Sequence, residues 1–540
     1  MKAPIDYGTR PGTCSAWQRA GWLLGCAASL LAASGCSVIV NTEDREACTT
    51  SKECTTRYGE PSACVNAECQ KLLTPECTEV WPKNAMTLDN VMLVGFMGAL
   101  AGGFASYGTP TKEGAELALK EIEVLGNGLS APTNANTGQR HLAMLVCDHA
   151  SDPVGVARHL VEKANVPVII GDSFSTATLK MFDAVARPAG VLVLSPSATS
   201  PALTDHEDDG LLWRTSPSDV VQAETLKFLV QDVEDALHKK GVLAEGERAK
   251  IAMPTKNDSA GVGLARAATA VNMNAQDPAP AVDPGLPDVY PDPDDPKTGT
   301  VDWQLHINNI LDYRPHIVLA MGTGEFVSAM MQEIENNWTP SAPRPWYLLP
   351  EGDRVTELAT LVANNPRYEL NERILGTAPG ARRSPLYSTF ERSFRGEFGN
   401  RAPGNLAEFG YDAAYLVAYA IAITNKVSPS GRELANAMRN VSCKGKDIVS
   451  VPAGSQEFSG YFTTAERVGC IDFEGASGPL DFDPDTGEAL SDIGMWCVRR
   501  NGSSGSYGFE PSLEAFYSVE SGRIEQTKPP LEQRGWCKDQ

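Results

Sequence analysis

Two hydroxyl-rich stretches carry most of the chemistry this chain could do. Val166-Pro167-Val168-Ile169-Ile170-Gly171-Asp172-Ser173-Phe174-Ser175-Thr176 is an apolar run that ends in Ser and Thr. The pattern recurs in Leu194-Ser195-Pro196-Ser197-Ala198-Thr199-Ser200-Pro201-Ala202-Leu203. Each run reads as a strand whose carboxyl end leaves hydroxyls and backbone N–H groups unpaired. In open α/β sheets ligands bind at that edge. Two such neighbouring ends suggest one anion-friendly pocket. Ser175 stands before a helix expected over 176–186, and a helix N-terminus attracts negative charge. The plainer alternatives are that Ser175 only caps that helix and that Ser197 and Thr199 only shape a turn.

Catalytic patterns are missing from the sequence. There is no G-x-S-x-G elbow, no Walker loop and no H-E-x-x-H. Gly322-Thr323-Gly324 is too short for a dinucleotide fingerprint, and the seven histidines are scattered. The segment 481–487 resembles the start of a calcium loop, but Thr486 stands where that loop needs Gly and the closing Glu is missing. A hairpin turn is the expectation there. We therefore expect no enzyme, no cofactor and no metal.

The elements that must position these residues follow a rhythm. Strands are expected near 91–95, 142–146, 166–170 and 191–194. Between them, 114–125 gathers Ala115, Ala118, Leu119, Ile122 and Leu125 on one helical face, and 153–164 reads as a second helix. The rhythm restarts with strands near 250–253, 317–321, 346–349 and 374–377 and helices near 261–271 and 325–336. Alternation of this kind implies βαβ units and parallel sheets. Two α/β lobes result. Between them in sequence, 274–300 is rich in Pro and Asp and reads as a solvated insertion rather than a site.

With 46 basic and 68 acidic residues, the net charge of −22 argues against nucleic acid or an anionic membrane surface as partner. At 42% hydrophobic, 540 residues can bury more than one core. Thirteen cysteines fit an oxidising compartment better than a cytosol. Cys48, Cys54, Cys64, Cys69 and Cys77 crowd a polar segment that cannot build a core and needs disulfide staples. Zinc is the rival reading, but no CxxC or Cys/His pair stands at ligand spacing. Because five is odd, at least one of them should bond outside the segment; Cys77 with Cys147 is our choice. Cys443, Cys470, Cys497 and Cys537 could pair among themselves.

The N-terminus sets the compartment. Lys2, Arg10 and Arg19 precede an uncharged stretch, 20–35, too short to span a bilayer. A basic start, a short apolar core and small residues read as a secretory signal. Its end, Leu31-Ala32-Ala33-Ser34-Gly35-Cys36, resembles a bacterial lipobox with Cys36 as the lipidated residue. Ala33 replaces the usual Leu, and ordinary cleavage with an unmodified Cys36 is the alternative. No later segment is long and apolar enough to span.

Beyond residue 86 the motifs carry a family resemblance. GFMGALAGGFASYGTPTKEGAELALKEIE, CDHASDPVGVARHLVEK, VPVIIGDSFSTATLK, VLVLSPSATSPALTD and LWRTSPSDVVQAETL occur in that order. RPHIVLAMGTGEF, LLPEGD, FERSFRGEFG and AEFGYDAAYLVAYAIA follow. Together they resemble the type I periplasmic solute-binding proteins of the branched-chain amino-acid-binding class, which are similar to the ligand-binding regions of some receptors. The resemblance runs from about Met86 to Cys497. It implies two doubly wound Rossmann-like lobes joined by three crossovers, with the ligand between them. We expect a signal peptide at 1–35 and a Cys-rich linker at 36–85. Lobe one should hold 86–218 and 373–480, and lobe two 219–372 and 481–540.

The resemblance also implies roles. Ser175 and Ser197, Ala198 and Thr199 would hold a carboxylate, and Tyr107 would pack on the ligand. Glu351 in LLPEGD would pair with an ammonium group, with Asp219 a second candidate for the same amine. Thr323 completes the candidate set. It lies where the family often offers an aromatic, so an apolar side-chain pocket and a branched-chain ligand are in doubt. The implied function is a lipid-anchored solute-binding protein that closes on an amino acid or related carboxylate for an ABC-type membrane permease. The alternative is a sensing or surface-interaction lipoprotein without transport; Ser37 after the lipid cysteine is consistent with export to an outer membrane.

Overall fold

The apolar runs become the inner strands of two eight-stranded sheets. In the computed structural model, residues 47–526 are described, apart from 103–104, 134–137, 150–151, 272–286, 296, 381–383, 455–457 and 501–505. The leader 1–35, Cys36, Cys537 and the first half of the 274–300 insertion lie outside the described residues.

Across the first sheet the order is Phe482–Asp483, Glu488–Ala489, Leu212–Arg214, Leu192–Ser195, Val168–Ile170, Val91–Gly98, His141–Asp148 and Cys77–Trp81. From Leu212–Arg214 to His141–Asp148 every pairing is parallel. These strands are buried on both faces, which is why they read as continuous apolar runs. The second sheet runs Pro287–Tyr290, Ile251–Lys256, Ile317–Leu319, Trp346–Leu349 and Ile374–Pro379, all parallel. It continues with the antiparallel strands Ile493–Arg500, Tyr507–Ser518 and Arg523–Gln526.

The chain changes sheets three times: between Arg214 and the helix Asp219–Lys239, after Pro379, and between Ala489 and Ile493. Two expected borders therefore move. Ile374–Pro379 is buried throughout and pairs with Trp346–Leu349, so lobe two extends past 373. Phe482–Asp483 and Glu488–Ala489 form the hairpin expected around 481–487, and it extends the first sheet instead of opening lobe two. The 274–300 insertion is also not merely solvated. Pro287–Tyr290 adds an edge strand, and Tyr290 is fully buried.

The helix Ala407–Thr424 carries the most apolar stretch and is buried along nearly its whole length. It crosses Ala105–Lys120 through glycines. A Cβ on Gly114 would lie 1.9 Å from the Ala407 carbonyl oxygen, and one on Gly410 would lie 2.0 Å from that of Thr111. Among the described residues no helix is long and apolar enough to cross a membrane.

At the N-terminal side, the helix Ser51–Tyr58 packs on the hairpin Ser62–Val65/Glu68–Lys71. Cys48–Cys64 and Cys54–Cys69 staple this module, and Cys77–Cys147 ties the next strand to the first sheet. Sulfurs of Cys48, Cys54 and Cys64 lie within 4.8 Å of one another, but each is already in a disulfide. Cys443 pairs with Cys470, and Cys497 is also disulfide-bonded.

Candidate functional site

The carboxyl ends of the two sheets face each other across a cleft. It is lined from lobe one by Tyr107, Phe174, Ser175, Ser197, Thr199 and Leu406, and from lobe two by Asp219, Leu264, Thr323, Glu351 and Gly352 among others. The cavity among these residues is about 50 Å³. Seven of the eight sequence candidates for ligand contact therefore meet in one place; Ala198 does not line it.

The lobe-one loops are more self-satisfied than their composition implies. Ser195 Oγ accepts from the Ala198 N–H at 3.0 Å, so that amide is already paired. Ser197 Oγ donates to the Ser173 carbonyl at 3.1 Å, and Ser175 Oγ accepts from the Ser200 N–H at 3.2 Å. Ser175 is the first helical residue of Ser175–Met181; the cap position is Phe174, which makes no side-chain cap bond. The capping role for Ser175 is thus excluded. Buried Arg214 donates to the carbonyls of Ala198 and Ser200, at 3.2 and 2.8 Å, and fixes the loop from below.

Asp219 sits at the first crossover, one residue past the cap Ser218. Its N–H donates to the Thr199 carbonyl at 2.8 Å. Burial pushes its carboxyl well above the usual range, and the nearby Glu351 charge adds to the push. The Thr199 hydroxyl and Arg214 oppose it. Glu351 is likewise raised by burial, while Gln222 Nε2 donates to it at 2.6 Å and holds the shift back. The same Gln222 amide donates to Thr377 at 3.1 Å.

Several buried polar residues next to those that line the cleft escaped the sequence reading. Asp353, two positions after Glu351, is fully buried, and neither carboxyl oxygen has a hydrogen-bond partner among the described residues. Burial, then Glu325 and Glu351, raise it well above the carboxylate range. Glu325 accepts from Tyr290 Oη at 2.6 Å, Thr323 Oγ1 at 2.6 Å and the Thr323 N–H at 3.0 Å. Lys256 pairs with Asp294, Asp292 and Asp258 at 2.6, 3.3 and 3.7 Å. Gly322 explains the missing aromatic: a Cβ there would lie 2.4 Å from both Tyr290 Oη and a Glu325 oxygen. The one signal for Asp353 was its place in LLPEGD; Tyr290 was hidden by the Pro- and Asp-rich stretch around it.

The lobes touch. The Tyr107 hydroxyl donates to the Gly352 carbonyl, and the Tyr107 ring joins lobe two's apolar cluster with Phe326 and Val355. Ser200 Oγ donates to the Ser259 carbonyl at 2.6 Å, and the Ser259 N–H donates to Thr176 Oγ1 at 3.1 Å.

The family described as periplasmic binding protein matches residues 93–493. The chain belongs to that family. Its members are solute-binding proteins rather than enzymes, and they work outside the cytoplasm. The Leu/Ile/Val-binding protein of Citrobacter freundii is 30% identical over 175 residues, 30% of this chain and 44% of that one. The leucine-, isoleucine-, valine-, threonine- and alanine-binding protein of Pseudomonas aeruginosa is 29% identical over 170 residues, 30% and 42% of the two chains. The chain thus spans less than half the length of these curated relatives. In fold it is similar to a leucine-binding protein of Thermotoga maritima, with TM-score 0.55 and 17% identity over 80% of this chain and 99% of that one. It is also similar to an ABC-transporter solute-binding protein of Rhodopseudomonas palustris holding 3,4-dihydroxybenzoic acid, at TM-score 0.52 and 17% identity over 82% and 100%.

Proposed function

We propose that this periplasmic binding protein takes a small α-amino acid or related zwitterion between its lobes and hands it to an ABC-type permease. The observation that carries the reading is the opposition of charge preferences across one cleft. Ser175 and Thr199 offer a polar rim on lobe one, with Asp219 bonded to Thr199 at the crossover, and the buried acid Glu351 answers from lobe two. An ammonium group would restore the ionised form of those acids, and its carboxylate would lie toward the lobe-one loops. Tyr107 and Leu406 supply the apolar contact that most small-ligand clefts have. Calorimetry with a panel of amino acids tests it. A charge-assisted hydrogen bond contributes about 1.5–3 kcal/mol, so Glu351→Ala should weaken an amino-acid ligand roughly ten- to a hundredfold. Thr199→Ala should weaken amino acids and amine-free carboxylates alike. Intact affinity in both variants would move the site elsewhere.

The anchoring is part of the same proposal. Cys36 would carry acyl chains that hold the protein at a membrane, since several chains anchor stably where one does not. Cys36→Ala should release the protein into the soluble fraction or block its maturation. A wild-type Cys36 without lipid mass would defeat the anchor and leave the binding reading intact.

A further inference from the structure

Behind the lobe-one wall of the cleft lies a buried ion pair, neither member of which lines the cleft itself. His149 stands just past the strand His141–Asp148, and Asp172 just past Val168–Ile170. His149 Nδ1 lies 2.8 and 2.7 Å from the two carboxylate oxygens of Asp172. A carboxylate has nothing to donate, so Nδ1 carries the proton. Asp172 is fully buried, and His149 is its ion-pair partner among the described residues. Asp172 in turn holds residues of the wall. Its carboxylate accepts from the Phe174 N–H at 3.1 Å. Its carbonyl accepts from Ser195 Oγ at 2.9 Å and Ser197 Oγ at 3.3 Å. The Phe174 ring packs on both His149 and Tyr107, with centroids 5.8 and 5.6 Å away. Phe174, Ser175 and Ser197 line the cleft. The other charged neighbours of the imidazole are acids. Asp148, on its own strand, accepts from the Leu100 N–H at 3.1 Å. Asp152 donates its N–H to the His149 carbonyl at 3.1 Å, and its side chain caps the helix Pro153–Arg158.

Resting on the reading that this cleft binds the ligand, we infer that His149 is a positioning residue of the binding wall: its imidazolium neutralises Asp172 and so holds the Phe174–Ser175 turn, and the wall loosens when that proton leaves. Burial favours the neutral imidazole, but Asp172 and then Asp148 outweigh it and keep the proton on above the ordinary histidine value. The hold is therefore complete below about pH 6.5 and is lost as pH rises through the raised value. Neutral His149 leaves Asp172 as a buried charge without a countercharge, a costly state. That charge then sits behind the loops expected to receive the ligand's carboxylate, so binding of such a group weakens over the same range.

Hydrogen exchange of the ligand-free, full-length chain tests this, read by mass spectrometry on peptides that carry the Phe174 amide, as protection relative to the unfolded rate at each pH. Wild-type protection should fall about tenfold or more between about pH 5.5 and 8.5, the span of one hydrogen bond to a charged group. His149→Gln keeps a donor but is never charged, and it should show the low protection at every pH. Asp172→Asn removes the charge that needs neutralising, and its profile should also be flat. A histidine that only fills space would lower protection in His149→Gln without giving the wild type a pH profile. A flat wild-type profile, or a profile that survives in both variants, overturns the inference. Calorimetry with a panel of amino acids separates it from the binding reading. Affinity should fall with pH in the wild type and not in His149→Gln. Failure of the whole panel to bind overturns the amino-acid reading alone, since the exchange profile needs no ligand.

Discussion

Asp353 illustrates how a single side chain can be conspicuous in space and silent in sequence. Its carboxyl is held in the protein interior without a donor among the described residues, whereas Asp412, equally buried, accepts from the Ala476 N–H, the Ser477 N–H and Ser477 Oγ. Burial raises both, Asp412 to about 7 and Asp353 well above the carboxylate range, and a shift of that kind has a measurable sign. A carboxyl whose folded pKa lies above its unfolded one keeps a proton that the unfolded chain releases, so the folded state loses ground as pH rises between the two values. For Asp353 that window opens near the unfolded value of about 3.9 and ends at the raised folded value. The ligand-free wild type should therefore lose more of its melting temperature than Asp353→Asn as pH rises from about 4 toward neutrality. Parallel thermal-melt profiles for the two proteins would refute the assignment. That Ser175, Thr199, Asp219 and Glu351 would meet in one cleft was legible in sequence, from their strand ends and from the family resemblance. Asp353, Glu325 and Tyr290 were not. Their meaning depends on which donors surround them, and spacing along the chain does not encode that.

At the scale of elements, the apolar runs and their order carried the two parallel sheets almost unaided. Borders failed where one buried run could serve either sheet. Ile374–Pro379 and the hairpin strand Glu488–Ala489 have the composition of edge or inner strands alike, and only pairing decides between them. The glycines at the crossing of Ala105–Lys120 and Ala407–Thr424 have no periodic trace either, though the close approach forbids a side chain. The cysteine arithmetic did better, since an odd number in one stapled segment demanded an outside partner. Cys77–Cys147 closes a sequence separation of 70 residues and joins an antiparallel edge strand to the first sheet. Removing such a bond commonly costs about 2–5 kcal/mol. The double variant Cys77→Ser/Cys147→Ser should show a correspondingly lower urea midpoint, with the amino-acid affinity little changed because no residue of Cys77–Trp81 or His141–Asp148 lines the cleft. A midpoint equal to wild type would mean that the edge strand is held by its backbone pairing alone.

For the whole molecule, lobe one and lobe two are coupled by three chain crossings and by side chains that reach across the cleft. Two of the crossings are linked, since the Gly380 N–H donates to the Asp492 carbonyl at 2.9 Å; the first is tied to lobe one, where Thr215 Oγ1 donates to the Phe409 carbonyl at 3.1 Å. Hinge motion about such paired strands is the usual route of ligand entry in two-lobed proteins. Tyr107 gives that motion a rate. With its ring in the second lobe's apolar cluster and its hydroxyl on Gly352, Tyr107 ties the lobes together, so opening the cleft breaks that contact. Uptake is then a two-step process, and its speed has a ceiling. Stopped-flow association should rise with ligand concentration and level off at the opening rate, and Tyr107→Phe, which keeps the ring but drops the hydrogen bond, should raise that plateau. A strictly linear dependence would mean that the resting protein stands open. A ceiling of this kind would make the protein insensitive to brief pulses of ligand: its occupancy would follow a concentration averaged over the lifetime of one aromatic contact.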